Sequence, residues 1–275
     1  MPVTDMSADE AKAFLEGRPL DSYALVDVRQ EPEYAEFHLP GARLVPLPEL
    51  AERLGELPRD KPVMVYCRSG RRSAAAAALL DGQGFADIRN LLGGASGWQG
   101  AVAEGPRSQG LDVFGSDKTP LDYLRHAYTL EVNLGVFYAG LAATANKPEP
   151  AATFARLSRL EEAHKAMVLN LARSLDPALS HEALAGGPAE VLEGGLDAEE
   201  ARAAVSMAGD AVGALEAGLA FEAQALDLYL RLAGRAAPES AAVVRRLAEE
   251  EKGHLKTLGA LLERATRAGE GREDP

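Results

Sequence analysis

Two groups of residues in this chain have the types and spacing to do chemistry: a lone cysteine in an arginine-rich run, and a set of glutamates and histidines that occurs twice. The repeated set is Pro148-Glu149-x-Ala151-Ala152-x-x-x-Arg156-Leu157-x-x-x-Glu161-x-x-His164, which recurs as Pro238-Glu239-x-Ala241-Ala242-x-x-x-Arg246-Leu247-x-x-x-Glu251-x-x-His254. Each copy follows a glutamate and a tyrosine seven residues apart, Glu131 with Tyr138 and Glu222 with Tyr229. Seven residues is about two helical turns, so each pair shares a helix face, as does a Glu-x-x-His pair at i, i+3. Two helices offering Glu and two offering Glu-x-x-His make the ligand set of a carboxylate-bridged di-iron or di-manganese site in a four-helix bundle. The candidate metal ligands are therefore Glu131, Glu161, His164, Glu222, Glu251 and His254. Solvated glutamates on a charged helix face would not need to recur in order.

The cysteine lies in Cys67-Arg68-Ser69-Gly70-Arg71-Arg72-Ser73, between an expected strand and an expected helix. Backbone N–H groups in such a loop can converge on an anion, and the helix N-terminus adds positive potential. The same field, with three arginines near, lowers a thiol pKa. Cys67 is thus a candidate thiolate nucleophile in an anion pocket, rather than an inert buried thiol. Arg68, Arg71 and Arg72 are candidates to bind an anionic substrate, with the choice among them open.

The elements that must position these residues follow from periodicity. Residues 24–28 and 62–66 are short, valine-rich runs and read as buried strands, and Ser73 to Leu80 reads as a helix start. Strands alternating with helices indicate an α/β domain with a mainly parallel sheet over 1–104. Scattered Gly, Pro and charge mark a linker at 105–118. From 119 to 268 the pattern is helical, with four long helices expected near 120–145, 149–175, 198–234 and 239–267, and a tail at 269–275. Two short turns join antiparallel neighbours, and a longer stretch with Asp176-Pro177, Gly186-Gly187-Pro188 and Gly194-Gly195 serves as the crossover.

Composition bounds the function. A formal charge of -13 over 275 residues disfavours a nucleic-acid partner. No apolar run is long enough to span a bilayer, and the N-terminus lacks the pattern of a secretory signal. A single cysteine excludes an intramolecular disulfide and a Cys-rich metal site. A cytoplasmic location is expected.

The first hundred residues resemble the rhodanese (sulfurtransferase) family, on Leu25-Val26-Asp27-Val28-Arg29, Glu33-Tyr34, His38-Leu39-Pro40-Gly41-Ala42, the Cys67 loop and Leu91-Leu92-Gly93-Gly94-x-x-Gly97-Trp98. The resemblance implies that Cys67 takes sulfane sulfur from a donor such as thiosulfate, holds it as a persulfide, and yields it to a thiol or cyanide. The amides of Arg68, Ser69, Gly70, Arg71, Arg72 and Ser73 would cradle the outer sulfur, and Asp27 and Arg29 would brace the loop. His38 and Trp98 are assigned packing roles. Phosphatases with a related loop use Cys-x5-Arg, and Ser73 stands at that arginine's position, which disfavours a phosphatase.

Residues 120–265 resemble the rubrerythrin and ferritin-like superfamily, on the six ligand positions plus Tyr138 and Tyr229. The resemblance implies two iron ions, or manganese, bridged by Glu161 and Glu251, with Glu131 and Glu222 as terminal ligands. Rubrerythrins carry a further glutamate where this chain has Ala225, and a Cys-rich centre that one cysteine cannot build. His126, His181, Glu162, Glu216, Glu249 and Glu250 are left outside the site. The expected protein is a sulfurtransferase coupled to a di-iron redox domain that acts on oxygen, peroxide or a sulfur species. It would use an external electron donor and form a homodimer. The alternatives are an iron-binding or sensing protein with sulfur delivery, and a structural dimerisation bundle without metal.

Overall fold

The computed structural model describes residues 3–111, 118–185, 191–205 and 210–270. The chain divides into two compact units, Met1–Arg107 and Ser108–Pro275.

In the first unit the valine-rich runs form strands as their composition requires. β1 (Thr4–Met6), β2 (Ala24–Asp27), β3 (Arg43–Leu44), β4 (Val63–Tyr66) and β5 (Ile88–Leu91) make one sheet in the order β1-β5-β4-β2-β3. All its pairings are parallel. Three helices accompany it: α1 (Ala8–Glu16), α2 (Glu31–Glu36) and α3 (Arg71–Gly82). Successive side chains of a strand point to opposite faces, so a strand buried on both faces reads as a continuous apolar run. Val26, Val63, Val65 and Ile88 pack with Ala76, Ala77 and Leu80 of α3. Leu25, Met64, Tyr66 and Leu91 pack with Ala11 and Phe14 of α1 and Tyr34 of α2. In the β2–β4 register Asp27 stands beside Tyr66, the residue before Cys67. Asp27, Arg29 and the cysteine loop therefore meet at the carboxyl edge of the sheet, where ligands of such folds bind.

The second unit is helical. In chain order it contains α4 (Pro120–Thr144), α5 (Pro148–Leu175), α6 (His181–Leu184), the antiparallel pair β6 (Val191–Leu192) and β7 (Leu196–Asp197), α7 (Ala198–Val205), α8 (Ala211–Ala233) and α9 (Pro238–Glu270). Proline opens α4, α5 and α9, where its missing N–H has no helical partner to lose. Thr119 and Asp122 form a capping box on α4, worth about 1 kcal/mol. α4 packs on α5 and α8 on α9, with further contacts of α4 with α9 and of α5 with α8. An apolar layer of Leu134, Phe137, Tyr138, Phe154, Leu157, Phe221 and Leu258 joins all four long helices. Phe137 and Phe221 meet edge to face at 5.7 Å.

One expectation needs correction. The third long helix does not run from 198 to 234: α7 ends at Val205, and α8 starts after Asp210, whose side chain accepts from Gly213 N at 2.9 Å. Asp favours a cap over a helix interior because its short carboxylate satisfies free backbone N–H groups. The division between the units, after Arg107, falls within the expected linker 105–118. Gly105 N donates to Ala35 O in the first unit at 2.8 Å, and Arg231 Nη1 donates to Gln109 O in the second at 2.7 Å. Residues 112–117 of that segment, 186–188 of the crossover, 206–209 of the expected third helix and 271–275 of the tail lie outside the described residues. No described helix is long and apolar enough to cross a membrane.

Candidate functional site

Cys67 follows β4 directly, and the chain reaches α3 through Arg68, Ser69 and Gly70. Gly70 is the N-cap of α3 at φ +93°, a left-handed conformation that costs a glycine little. That turn aims Gly70 N at Cys67 Sγ, 3.2 Å away. Burial alone would raise the thiol pKa. The N–H and hydroxyl of Ser73 and the N–H groups of Ser69 and Gly70 outweigh burial and lower it. The Ser73 hydroxyl lies within reach of the Gly70 carbonyl as well, at 3.1 Å. Cys67 and Ser73 are buried, while Arg68, Ser69 and Arg71 are exposed at the rim.

The loop is clamped from behind. Ala95 N donates to Cys67 O at 2.7 Å, and Ser96 N to Arg68 O at 2.9 Å. Gly94, at φ +57°, makes this approach possible: a Cβ there would lie 2.2 Å from Cys67 O. Beside the loop, the Arg29 guanidinium grips Asp27 through Nε and Nη2 and donates to Phe37 O, with both residues at most 1% exposed. Val28 N donates to Tyr66 O, tying this pair to the strand that ends in Cys67. His38 stacks on Tyr34 at 3.7 Å. Trp98 is partly buried against the second core cluster, and its Nε1 donates to Ala101 O.

The three loop arginines differ in what they touch. Arg68 is exposed and lies 3.9 Å from Glu36. Arg71 is exposed. Arg72 binds Glu33 of α2 with both nitrogens, at 2.7 and 2.6 Å; the Glu33 hydrogen bonds first, and the nearby Cys67 after them, raise the guanidinium pKa. The Arg72 hydrogen bond holds the Glu33 pKa down to about 2.

In the second unit the six expected ligand residues converge. Glu131, Glu161, Glu222 and Glu251 are at most 2% exposed, and His164 is buried. His164 Nδ1 lies 2.8 Å from Glu161 Oε2 and 3.3 Å from Glu131 Oε2. His254 Nδ1 lies 2.9 Å from Glu251 Oε2 and 3.3 Å from Glu222 Oε2. The imidazole rings stack at 3.4 Å, nearly parallel at 5°. One donor group is Glu131, Glu161 and His164, another is His164, Glu222 and His254, and in each the donor atoms lie within 4.8 Å of one another. Burial pushes the His164 pKa down, but the Glu161 hydrogen bond and the charges of Glu161, Glu222 and Glu250 raise it on balance. Burial pushes Glu222 up, but hydrogen bonds from His254 and Glu251 and the charges of both histidines lower it. Four buried carboxylates and two imidazoles suit first-row metal ions in charge and donor type; His164 belongs to both donor groups, and Glu251 joins the set through His254.

Residues left outside that set take other places. His126 is half-buried, Glu162 pairs with Lys165, and His181 Nδ1 meets Tyr128 Oη at 2.8 Å. Glu216 is exposed, Glu249 is half-buried, and Glu250 pairs with Arg246. Tyr138 and Tyr229 are buried, as is Ala225. Sequence reasoning missed Gly135, where a Cβ would meet Glu161 Cβ at 3.2 Å and whose carbonyl accepts from Ser158 Oγ. Its signal was a glycine one turn after Glu131. Asp227, buried and paired with Arg231 at 2.7 Å, was also missed; its signal was an Asp–Arg pair at i, i+4.

Comparison with known proteins bears on the first of these sites. The family model of the rhodanese-like domain matches residues 7–101. The chain is 42% identical to YqhL of Bacillus subtilis over 78 residues, 28% of this chain and 62% of that protein, so it spans less than two thirds of YqhL. It is 42% identical to a sulfurtransferase of Allochromatium vinosum over 74 residues, 27% of this chain and 69% of that one. It is 40% identical to the thiosulfate sulfurtransferase GlpE of Pseudomonas fluorescens over 75 residues, 27% of this chain and 69% of that one.

Proposed function

Because the chain belongs to the rhodanese-like family through residues 7–101, we propose that its first unit is a sulfurtransferase carrying sulfane sulfur as a persulfide on Cys67. The observation that carries this reading is the set of backbone donors around Cys67 Sγ, with Gly70 N at 3.2 Å. Such donors favour the thiolate over the thiol, and the thiolate is the nucleophile. With thiosulfate as donor, the Cys67 thiolate attacks the outer sulfur. A new S–S bond forms, the old one breaks, and sulfite leaves with the electron pair. The persulfide's terminal sulfur carries the negative charge and sits where the loop amides point. Cyanide then attacks that sulfur, thiocyanate departs, and the thiolate returns; a thiol acceptor would become the new persulfide in the same way. With one cysteine in the chain, release requires an external nucleophile. The test is thiosulfate:cyanide turnover: Cys67→Ser should fall to background, and full activity in that variant would refute the assignment.

For the second unit the proposed reading is a ferritin-like bundle of the rubrerythrin kind that holds two ions, iron by preference. Glu131, Glu161, His164, Glu222, Glu251 and His254 would hold them. The support is the burial of four carboxylates at one place. Two imidazolium ions would offset two of four negative charges, and an uncompensated charge in a dry interior costs several kcal/mol, or about that. Bound iron would supply one-electron redox chemistry toward oxygen, peroxide or a sulfur species, with electrons from an external donor. The chain itself contributes the donors, their orientation by i, i+3 spacing, and the burial that takes the four carboxylates out of water.

A further inference from the structure

Arg72 differs from the other loop arginines in what holds it. Its guanidinium faces Glu33 with two short hydrogen bonds, and Arg72 stands in the first turn of α3, which starts directly after Gly70, whose N points at Cys67 Sγ from 3.2 Å, near enough for the Cys67 charge to act on the guanidinium. Glu33 is itself anchored, since its Oε2 accepts from Gln30 N at 3.2 Å in the capping box of α2. A bidentate carboxylate fixes a guanidinium in plane and direction, which a free arginine with its many rotamers lacks. We propose that Glu33 is a positioning residue for sulfur transfer, holding the Arg72 guanidinium beside Cys67 Sγ so that it steadies the thiolate and the anionic sulfur donor. The role rests on the sulfurtransferase reading given above.

The physical interest lies in two effects of opposite sign. As a bare negative charge near the sulfur, Glu33 would oppose the thiolate. As the holder of Arg72, it supports the thiolate. Other charged groups by the loop are Arg68 and Arg71 on the loop and helix, Glu36 on α2, and the Asp27–Arg29 pair closed on itself at the end of β2. The segment Gly93–Gly97 behind the loop carries no charge. Arg72 is thus the cation whose position a single side chain controls, and the sign of the Glu33 effect reports which role dominates.

The experiment uses the full chain, whose single cysteine makes alkylation unambiguous. Iodoacetamide rates are measured against pH for wild type, Glu33→Ala, Glu33→Gln, Arg72→Ala and the Glu33→Ala/Arg72→Ala double variant, alongside KM and kcat for thiosulfate. Arg72→Ala should alkylate roughly tenfold more slowly near pH 7, as loss of one close opposite charge implies. Glu33→Ala should slow in the same direction by about threefold and raise KM for thiosulfate, with Glu33→Gln between it and wild type. In the Arg72→Ala background the Glu33 change should add no further loss, because it acts through Arg72. Faster or unchanged alkylation in Glu33→Ala, or a further loss in the double variant, would overturn the proposal. If instead the expected rates are found but wild type shows no thiosulfate turnover, the sulfurtransferase reading fails and takes the proposed role in transfer with it, leaving only the effect on the thiolate.

Discussion

The Cys67 loop and the Glu131–His254 cluster place polar groups by opposite means. In the loop, consecutive backbone N–H groups turn toward one sulfur, and the side chains of Arg68 and Arg71 stay outside. In the cluster the backbone is ordinary helix, and six side chains from four helices do the converging. The first arrangement depends on local conformation and tolerates varied side chains at its rim. The second depends on side-chain identity and on how closely helices approach. Substitutions that alter backbone should therefore damage the loop most, and substitutions that alter ligands should damage the cluster most.

The largest effect should come from the backbone. In Gly94→Ala the new methyl would meet Cys67 O at 2.2 Å with the residue at φ +57°. The loop must shift or the unit must lose stability, by roughly 3 kcal/mol or more. Thiosulfate turnover should fall at least tenfold, and wild-type turnover would show that the clamp behind the loop is not needed.

Removal of a ligand should come next. Glu251→Ala deletes a proposed anionic ligand and should lower metal retention more than His254→Ala, which deletes a neutral one. Metal per chain after loading with iron or manganese, together with the melting temperature, reads this out, because an ion bound by the folded state stabilises it. Equal metal in wild type and both variants, with no stabilisation, would favour a structural helical unit without metal.

Gly135→Ala is a smaller test of the same contrast. Its Cβ would press on Glu161 Cβ at 3.2 Å, pushing α4 and α5 apart by a few tenths of an ångström. A loss of about 1 kcal/mol in stability, with weaker metal retention, is expected. Full retention would mean that the helix approach does not set the ligand geometry.

The smallest effect concerns acid. Glu33 is held at a pKa of about 2 against an ordinary value of 4.5. A carboxylate depressed in the folded state adds stability that is complete above its unfolded pKa and is lost as pH falls through the folded one. Glu33→Gln should therefore flatten the acid dependence of the first unit's stability between pH 4.5 and 2. An unchanged slope in a titration of the melting temperature would contradict the strength of the Arg72 pairing.

The same contrast explains what could be read from the sequence. The run Cys67 to Ser73 is contiguous, so its loop and the strand before it stood out from local composition alone. The six clustered residues are scattered over more than a hundred positions, and their convergence was legible because the pattern is written twice with helical spacing. What was not legible is tertiary. Glu33 lies 39 residues from Arg72, and no local pattern links them. Gly135 matters through the approach of a second helix. Asp210 ended a helix reading that apolar periodicity on both sides had joined, because a cap signal inside such a run is easily outweighed by the run itself.

The central claim is that Cys67 carries the transferred sulfur, and mass analysis of the intact chain and of its Cys67 peptide tests it most directly. After incubation with thiosulfate the wild-type chain should gain one sulfur atom, located on Cys67, and cyanide should remove it with release of thiocyanate. Absence of the adduct in the wild type, or an equal adduct in Cys67→Ser, would contradict the account.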